Sequence, residues 1–128
     1  MNCGLIRMTQ RLRSGLDLLR CVLLLKKVYI KETFENLCKL VAFCNDHGYL
    51  YIHRDGEIDA VGIAYMVKDD NDVCSVPLSE SGDILFVSGF VSVSKDKRVP
   101  LRLLREVIKN KKVKRVIYDR RVSYGFKQ

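Results

Sequence analysis

The sequence predicts an α+β fold: a single domain, residues 1–128, in which two N-terminal helices lead into a mixed sheet and the chain closes with a strand, a helix and a strand. Three observations point there. Apolar residues recur at helical spacing as far as Gly48 and alternate with period two after it. An apolar run around Phe86, a helix opening at Pro100 and a second run around Ile117 form the pattern of a parallel crossover. With 48% hydrophobic residues, 128 residues suffice for one modest core.

Leu5, Met8, Leu12, Leu16, Leu19 and Leu23 keep a helical period over residues 5–26, weakened at Gly15, and residues 1–30 are expected as an N-terminal helix at the periphery of the domain. Asp17 and Arg20 interrupt the apolar run there and no small-residue cleavage site follows, which favours an amphipathic helix over a signal peptide. A second helix starts at Thr33, a capping residue, turns Phe34, Leu37, Val41 and Cys44 inward, and stops at Gly48. Residues 49–54 and 58–67 flank Asp55-Gly56, which suits a hairpin turn. Residues 73–78 form a candidate short strand ended by Pro77, and residues 84–93 are the most apolar strand, interrupted by Gly89. Pro100 fits the first turn of a third helix whose buried face is read as Leu101, Leu104, Val107 and Ile108. Residues 113–119 return as a strand, and residues 122–128 can add a last short one.

The charge is concentrated. From Arg98 to Arg121 ten basic residues face two acidic ones, so this segment holds the whole net charge of +8. Arg102, Arg105, Lys109 and Lys112 fall on one arc of the third helix, a stripe that suits an acidic protein partner, self-assembly or non-specific contact with nucleic acid phosphates. A solvated helix face carries the same charges. No run approaches the roughly 18 apolar residues of a membrane span, so no membrane partner is expected. Five cysteines without paired spacing, and His47 and His53 as the only histidines, indicate reduced buried thiols in a cytoplasmic setting and no metal.

Gly89 inside the central strand, the elbow into a Leu103-Leu104 helix and the YGFK of Tyr124 to Lys127 together resemble the Gcn5-related N-acetyltransferase superfamily over about residues 33–127. The resemblance implies an acetyltransferase-like fold, a bulge at Gly89, and acetyl-CoA held by the strand and by the loop before the helix. The donor side would then comprise the main chain of Val91 and Val93 and the side chains of Lys95, Lys97 and Arg98. The family's glycine loop is altered. Lys95 takes its Arg/Gln place, Arg98 stands over the first glycine and Pro100 over the last small residue, so a bulky side chain and a missing amide replace backbone access to phosphate. The family's helix with a thiolate-protonating tyrosine has no counterpart between Asp119 and Val122, and Tyr118 and Tyr124 read as packed aromatics.

A second similarity is to the toxin-activating lysine acyltransferases. It rests on SGDILFVSGFVS and on the upstream histidine of IHRDG, and implies acyl carrier protein as donor and His53 as the catalytic base. A hairpin histidine is more often an ordinary half-exposed strand residue. Asp55, Glu57 and Asp59 alternate around the turn, where they can receive an amine or simply be solvated. Two functions remain in view. One is a degenerate acetyltransferase fold serving as a binding or structural module, as in a small phage-encoded or virion-associated component, and the other is an active N-acyltransferase.

Overall fold

The computed structural model describes residues 12–69 and 76–119. The elements run α1 (Gly15–Leu25), α2 (Phe34–His47), β1 (Leu50–Asp55), β2 (Glu57–Val67), β3 (Ile84–Ser92), α3 (Val99–Ile108) and β4 (Arg115–Tyr118). Sheet order is β1-β2-β3-β4, with β1, β2 and β3 antiparallel in turn and β4 parallel to β3. The tail with its YGFK, residues 73–75 of the expected short strand, Cys3, Cys74 and the chain before Leu12 lie outside the described residues. Val76 to Leu78 are not strand.

Local chemistry sets the element ends. Thr33 Oγ1 accepts from Asn36 N at 3.1 Å and Ser14 Oγ from Asp17 N at 3.4 Å, each satisfying a first-turn amide. Gly48 closes α2 at φ 76°, and Gly56 turns the hairpin at φ 80°, both left-handed positions that a side chain would strain. α3 stops at Ile108 because Lys109 leaves helical geometry and Asn110 takes φ 64°.

Period two splits the sheet residues between two cores. Leu50, Ile52, Ile58, Val61, Ile63, Tyr65, Phe86 and Val91 pack against α1 and α2, while Tyr51, Ala60, Ala64, Met66, Leu85 and Val87 pack against Val99, Leu103 and Val107 of α3. The result is three layers with the sheet in the middle. α1, expected at the periphery, contributes Cys21, Val22, Leu24 and Leu25 to the first core. Burial pushes the Cys21 and Cys44 thiols up to about 12, which makes them inert packing groups.

Two helices are rotated relative to the sequence reading. In α1 the leucines at the helical period face outward, Leu16 at 77% exposure, with Leu19 and Leu23 also exposed. In α3 the buried stripe is Val99, Leu103 and Val107, leaving Leu101 at 52% exposure and Ile108 exposed. Phe34 of α2 is exposed too. Each helix has more apolar residues than one face can hold, so the sheet selects the set whose shapes fill its surface.

A fork of hydrogen bonds fastens α1 to the hairpin. Arg54 Nη2 donates to Asp17 Oδ2 at 2.6 Å and Nη1 to Oδ1 at 3.2 Å, both side chains mostly buried. Arg20 adds Nε to Ile58 O at 2.9 Å and a contact with Glu57. Arg54, with the Arg13 amide, holds the Asp17 carboxyl below its ordinary value of 3.8. A lowered folded value means that this stabilisation is complete above the ordinary value and is lost as pH falls through the lowered one. Arg54→Met is expected to destabilise the fold by about 2 kcal/mol at pH 7 in urea unfolding, and the difference from wild type should shrink below about pH 3. An unchanged midpoint at pH 7 would contradict the role given to this fork.

Candidate functional site

The parallel pair is short. β3 and β4 are in register only from Ile84 opposite Arg115 to Val87 opposite Tyr118, with one further tie from Asp119 N to Val87 O at 3.0 Å. β3 then runs on to Ser92 while β4 ends. The cause lies on the other edge of β3. Ile63 pairs with Gly89 but Ala64 with Val87, so Ser88 is an extra residue, a β-bulge that bends the strand away from its partner.

The parting strands leave a cavity of about 330 Å³ lined by Val87, Phe90, Lys97, Pro100, Leu101, Leu104 and Tyr118. Its position accounts for the second apolar face of α3, since Leu101 and Leu104 form one wall. Phe90 is seated on Gly62, where an added Cβ would come to 3.0 Å of the ring. Tyr118 stands at 46% exposure across the opening. The size and mainly apolar lining are those of a small-ligand cleft.

The bulge also reverses which amides face the cleft. Val87 O points to β4, but beyond the extra residue Val93 N donates to Asp59 O at 2.8 Å, toward β2. Val91, two positions earlier, shares that orientation and pairs with Val61. Val91 and Val93, expected to offer their main chain to a donor, are therefore engaged inside the sheet, and Phe90 and Ser92 face the edge that is unpaired among the described residues.

On the opposite face, Tyr29 reaches the bulge from the turn after α1. Its hydroxyl is 2.6 Å from Ser88 Oγ, with Tyr29 at 9% and Ser88 at 7% exposure. A Cβ on Gly89 would meet the Tyr29 ring and hydroxyl at 2.6 to 2.8 Å. The glycine expected at a bulge is thus present, and the space it leaves belongs to Tyr29.

The loop before α3 engages four of its own amides. Ser94 N donates to Ser92 Oγ at 3.4 Å, Asp96 N to Ser94 Oγ at 3.1 Å, Arg98 N to Asp96 Oδ1 at 2.9 Å and Val99 N to Asp96 O at 3.1 Å. Pro100 has no amide proton. Arg98 folds back, its Nε 3.1 Å from Asp96 Oδ1, and holds that carboxyl below the usual range. The anion at this helix start is thus the protein's own Asp96. Lys97 lines the cavity, while Lys95 is exposed outside that lining.

His53 is part of a pair that the sequence reading missed. Its Nδ1 is 2.6 Å from Asp59 Oδ1, both side chains largely buried, because Asp59 is the extra residue between the Arg54–Ile58 and His53–Ala60 pairs. The pair is not at the cleft's closed end. His53 aligns through Ala60 with Ser92, four residues or about 13 Å along β3 from Ser88. Asp55 and Glu57 stay exposed, so the acidic alternation divides. Arg102, Arg105, Lys109 and Lys112 are all exposed and make no salt bridge with a described residue, but α3 ends before Lys109, which places Lys112 off the helix and shortens the stripe. Tyr29 carried no sequence signal, and Asp59 only that of the acidic alternation around the turn; Gly89 did carry one, as a strand glycine that asks what approaches it.

No family model and no curated protein sequence matches this chain. Among solved structures it is similar to the aminoglycoside N-acetyltransferase AAC(6')-Iy in complex with CoA, at 17% identity and a TM-score of 0.62, over 89% of this chain and 79% of that one. The chain has the mixed α+β fold of the Gcn5-related acetyltransferases. None of its described helices is long and apolar enough to cross a membrane.

Gly89→Ala is expected to destabilise the protein by about 2 kcal/mol, because the new methyl must displace the Tyr29 ring. In a Tyr29→Ala background the same change should cost less than half as much, measured by chemical unfolding of the double-mutant cycle. Equal costs in both backgrounds would show that the ring is not what the glycine accommodates.

Proposed function

We propose that the protein is an N-acyltransferase whose donor is a phosphopantetheine thioester, carried by coenzyme A and laid in the cleft between β3 and β4. The observation that carries this reading is the cleft itself: an apolar cavity of about 330 Å³ opened by the bulge at Ser88 and walled by a second apolar face of α3. An extended pantetheine arm has amide groups of its own and can pair, as an added strand does, with the edge of β3 at Phe90 and Ser92 that no described strand covers. The structurally similar aminoglycoside acetyltransferase holds CoA. An amine brought to the closed end would attack the thioester carbonyl, and the C–S bond would break to release the thiol.

Phosphate binding is the weak part of this site. Asp96 already takes the amide of Arg98 and the Arg98 side chain, so a pyrophosphate must displace a carboxylate and rely on Lys95, Lys97 and the freed Arg98. A modest affinity for CoA follows. A carrier protein bearing the same arm would place less charge at the loop.

A second reading is a binding module that docks an acidic partner, and the exposed Arg102, Arg105 and Lys109, which lack described salt-bridge partners, favour it. The two are separable by ligand. Millimolar acetyl-CoA is expected to raise the thermal midpoint, Leu101→Trp to abolish that shift by filling the cleft, and Asp96→Ala to tighten CoA binding roughly fivefold in calorimetry. No shift at millimolar ligand, with salt-sensitive capture of an acidic protein lost in Arg102→Glu/Arg105→Glu, would establish the second reading in its place.

A further inference from the structure

α1 is apolar on two opposite faces. Cys21, Val22, Leu24 and Leu25 pack on the sheet, while Leu16 at 77%, Leu23 at 52% and Leu19 at 40% exposure form a leucine stripe on the side turned away from it. A helix that is apolar all round is ordinarily a buried one. Among the described residues the second face stands open, and it serves neither the cleft nor the basic residues of α3, which lie across the sheet.

Charge decides what fits there. The helix has two ionic side chains, Asp17 and Arg20, and the fold engages both. Asp17 takes the Arg54 fork at 2.6 and 3.2 Å, and Arg20 donates to Ile58 O at 2.9 Å and lies 2.9 Å from Glu57. Lys26, the C-cap, turns its ammonium onto Ile30 O at 2.9 Å. An acidic or basic protein therefore finds no counter-charge on this helix, and a helix lying on a lipid surface needs cations beside its apolar face for the headgroups. A stripe without free charge is complementary to itself, because a two-fold axis sets the same patch against its own copy.

Spacing and size agree. Steps of three and then four residues are those of a helix-packing seam. Antiparallel packing about an axis near Leu19 sets Leu16 against Leu23 of the second copy, and Leu23 against its Leu16. With Ile30 at 63% and Phe34 at 50% exposure in the chain just after α1, the patch offers roughly 500 Å² per copy, and a dimer buries about 1,000 Å², the lower bound for a specific interface.

We infer that the protein forms a two-fold dimer through the outer leucines of α1, packed antiparallel on those of a second copy. The pairing is independent of the acyltransferase reading. It lies on the face of the sheet opposite α3, so each copy keeps its cleft and its basic residues open. An interface of this size gives a dissociation constant on the order of 10 μM, a reversible dimer.

Sedimentation of the full chain from about 1 to about 500 μM should show the mass rising from 14.8 kDa toward twice that value. Leu16→Lys and Leu23→Glu, both at exposed positions, should each weaken association at least tenfold with unchanged circular dichroism. Mixed in equal amounts, the two variants should regain it. The mixed dimer sets the introduced lysine against the introduced glutamate in one contact and keeps leucine against leucine in the other, which parallel packing would not do. A wild type that stays at 14.8 kDa throughout overturns the inference and assigns the face to another occupant, residues 1–11 of the same chain or a different partner. A dimer that both substitutions leave intact, or single variants that do not recover on mixing, overturn it equally.

Discussion

The extra residue at Ser88 is the constraint on which the other features of this molecule depend. A regular strand would keep β3 hydrogen-bonded to β4 along its length, and the sheet would present a closed edge. One inserted residue bends β3, turns its later amides outward at Phe90 and Ser92, and separates it from β4 after Val87. The gap would expose apolar surface were it not walled by α3. The helix therefore carries two apolar stripes, Val99, Leu103 and Val107 for the sheet and Pro100, Leu101 and Leu104 for the gap. Gly89 and Tyr29 then back the bend from the other face.

Electrostatics at the mouth of the gap is a competition between two anions. A helix start with exposed amides attracts negative charge, and here Asp96 meets that demand from within the loop, reinforced by Arg98. A ligand phosphate gains only the difference between its own contacts and those it displaces. The basic residues farther along α3 lie outside that local exchange. Their field extends over roughly a Debye length, about 8 Å at physiological salt, and so acts on encounter with a charged partner more than on grip.

The sequence made the architecture legible where one short-range rule governs. Thr33 and Gly48 bracket α2, Asp55-Gly56 marks the hairpin, and Pro100 opens the last helix within a residue of its observed start. Phase was not legible. Leu16, Leu19 and Leu23 satisfy the helical period as well as the buried Cys21, Val22 and Leu25 do, and Leu101 and Ile108 as well as Val99 and Leu103. A period specifies spacing along one chain, whereas burial depends on the shape of a second surface assembled from distant residues. Lys112 shows the same limit, since the arc holds only while the helix continues, and Asn110 ends it.

The candidate site divides along similar lines. Taken by itself, the sequence determined that a glycine interrupts the central strand, that a charged loop without glycine precedes α3, and that the positive charge lies in the last third of the chain, because each is a property of neighbouring residues. Tertiary structure decided that Asp59 faces His53 far from the bend and that Tyr29 meets Ser88 across 59 positions of sequence. Side-chain contacts of that range arise only when the helical layer settles on the sheet, and no local pattern encodes which residue arrives.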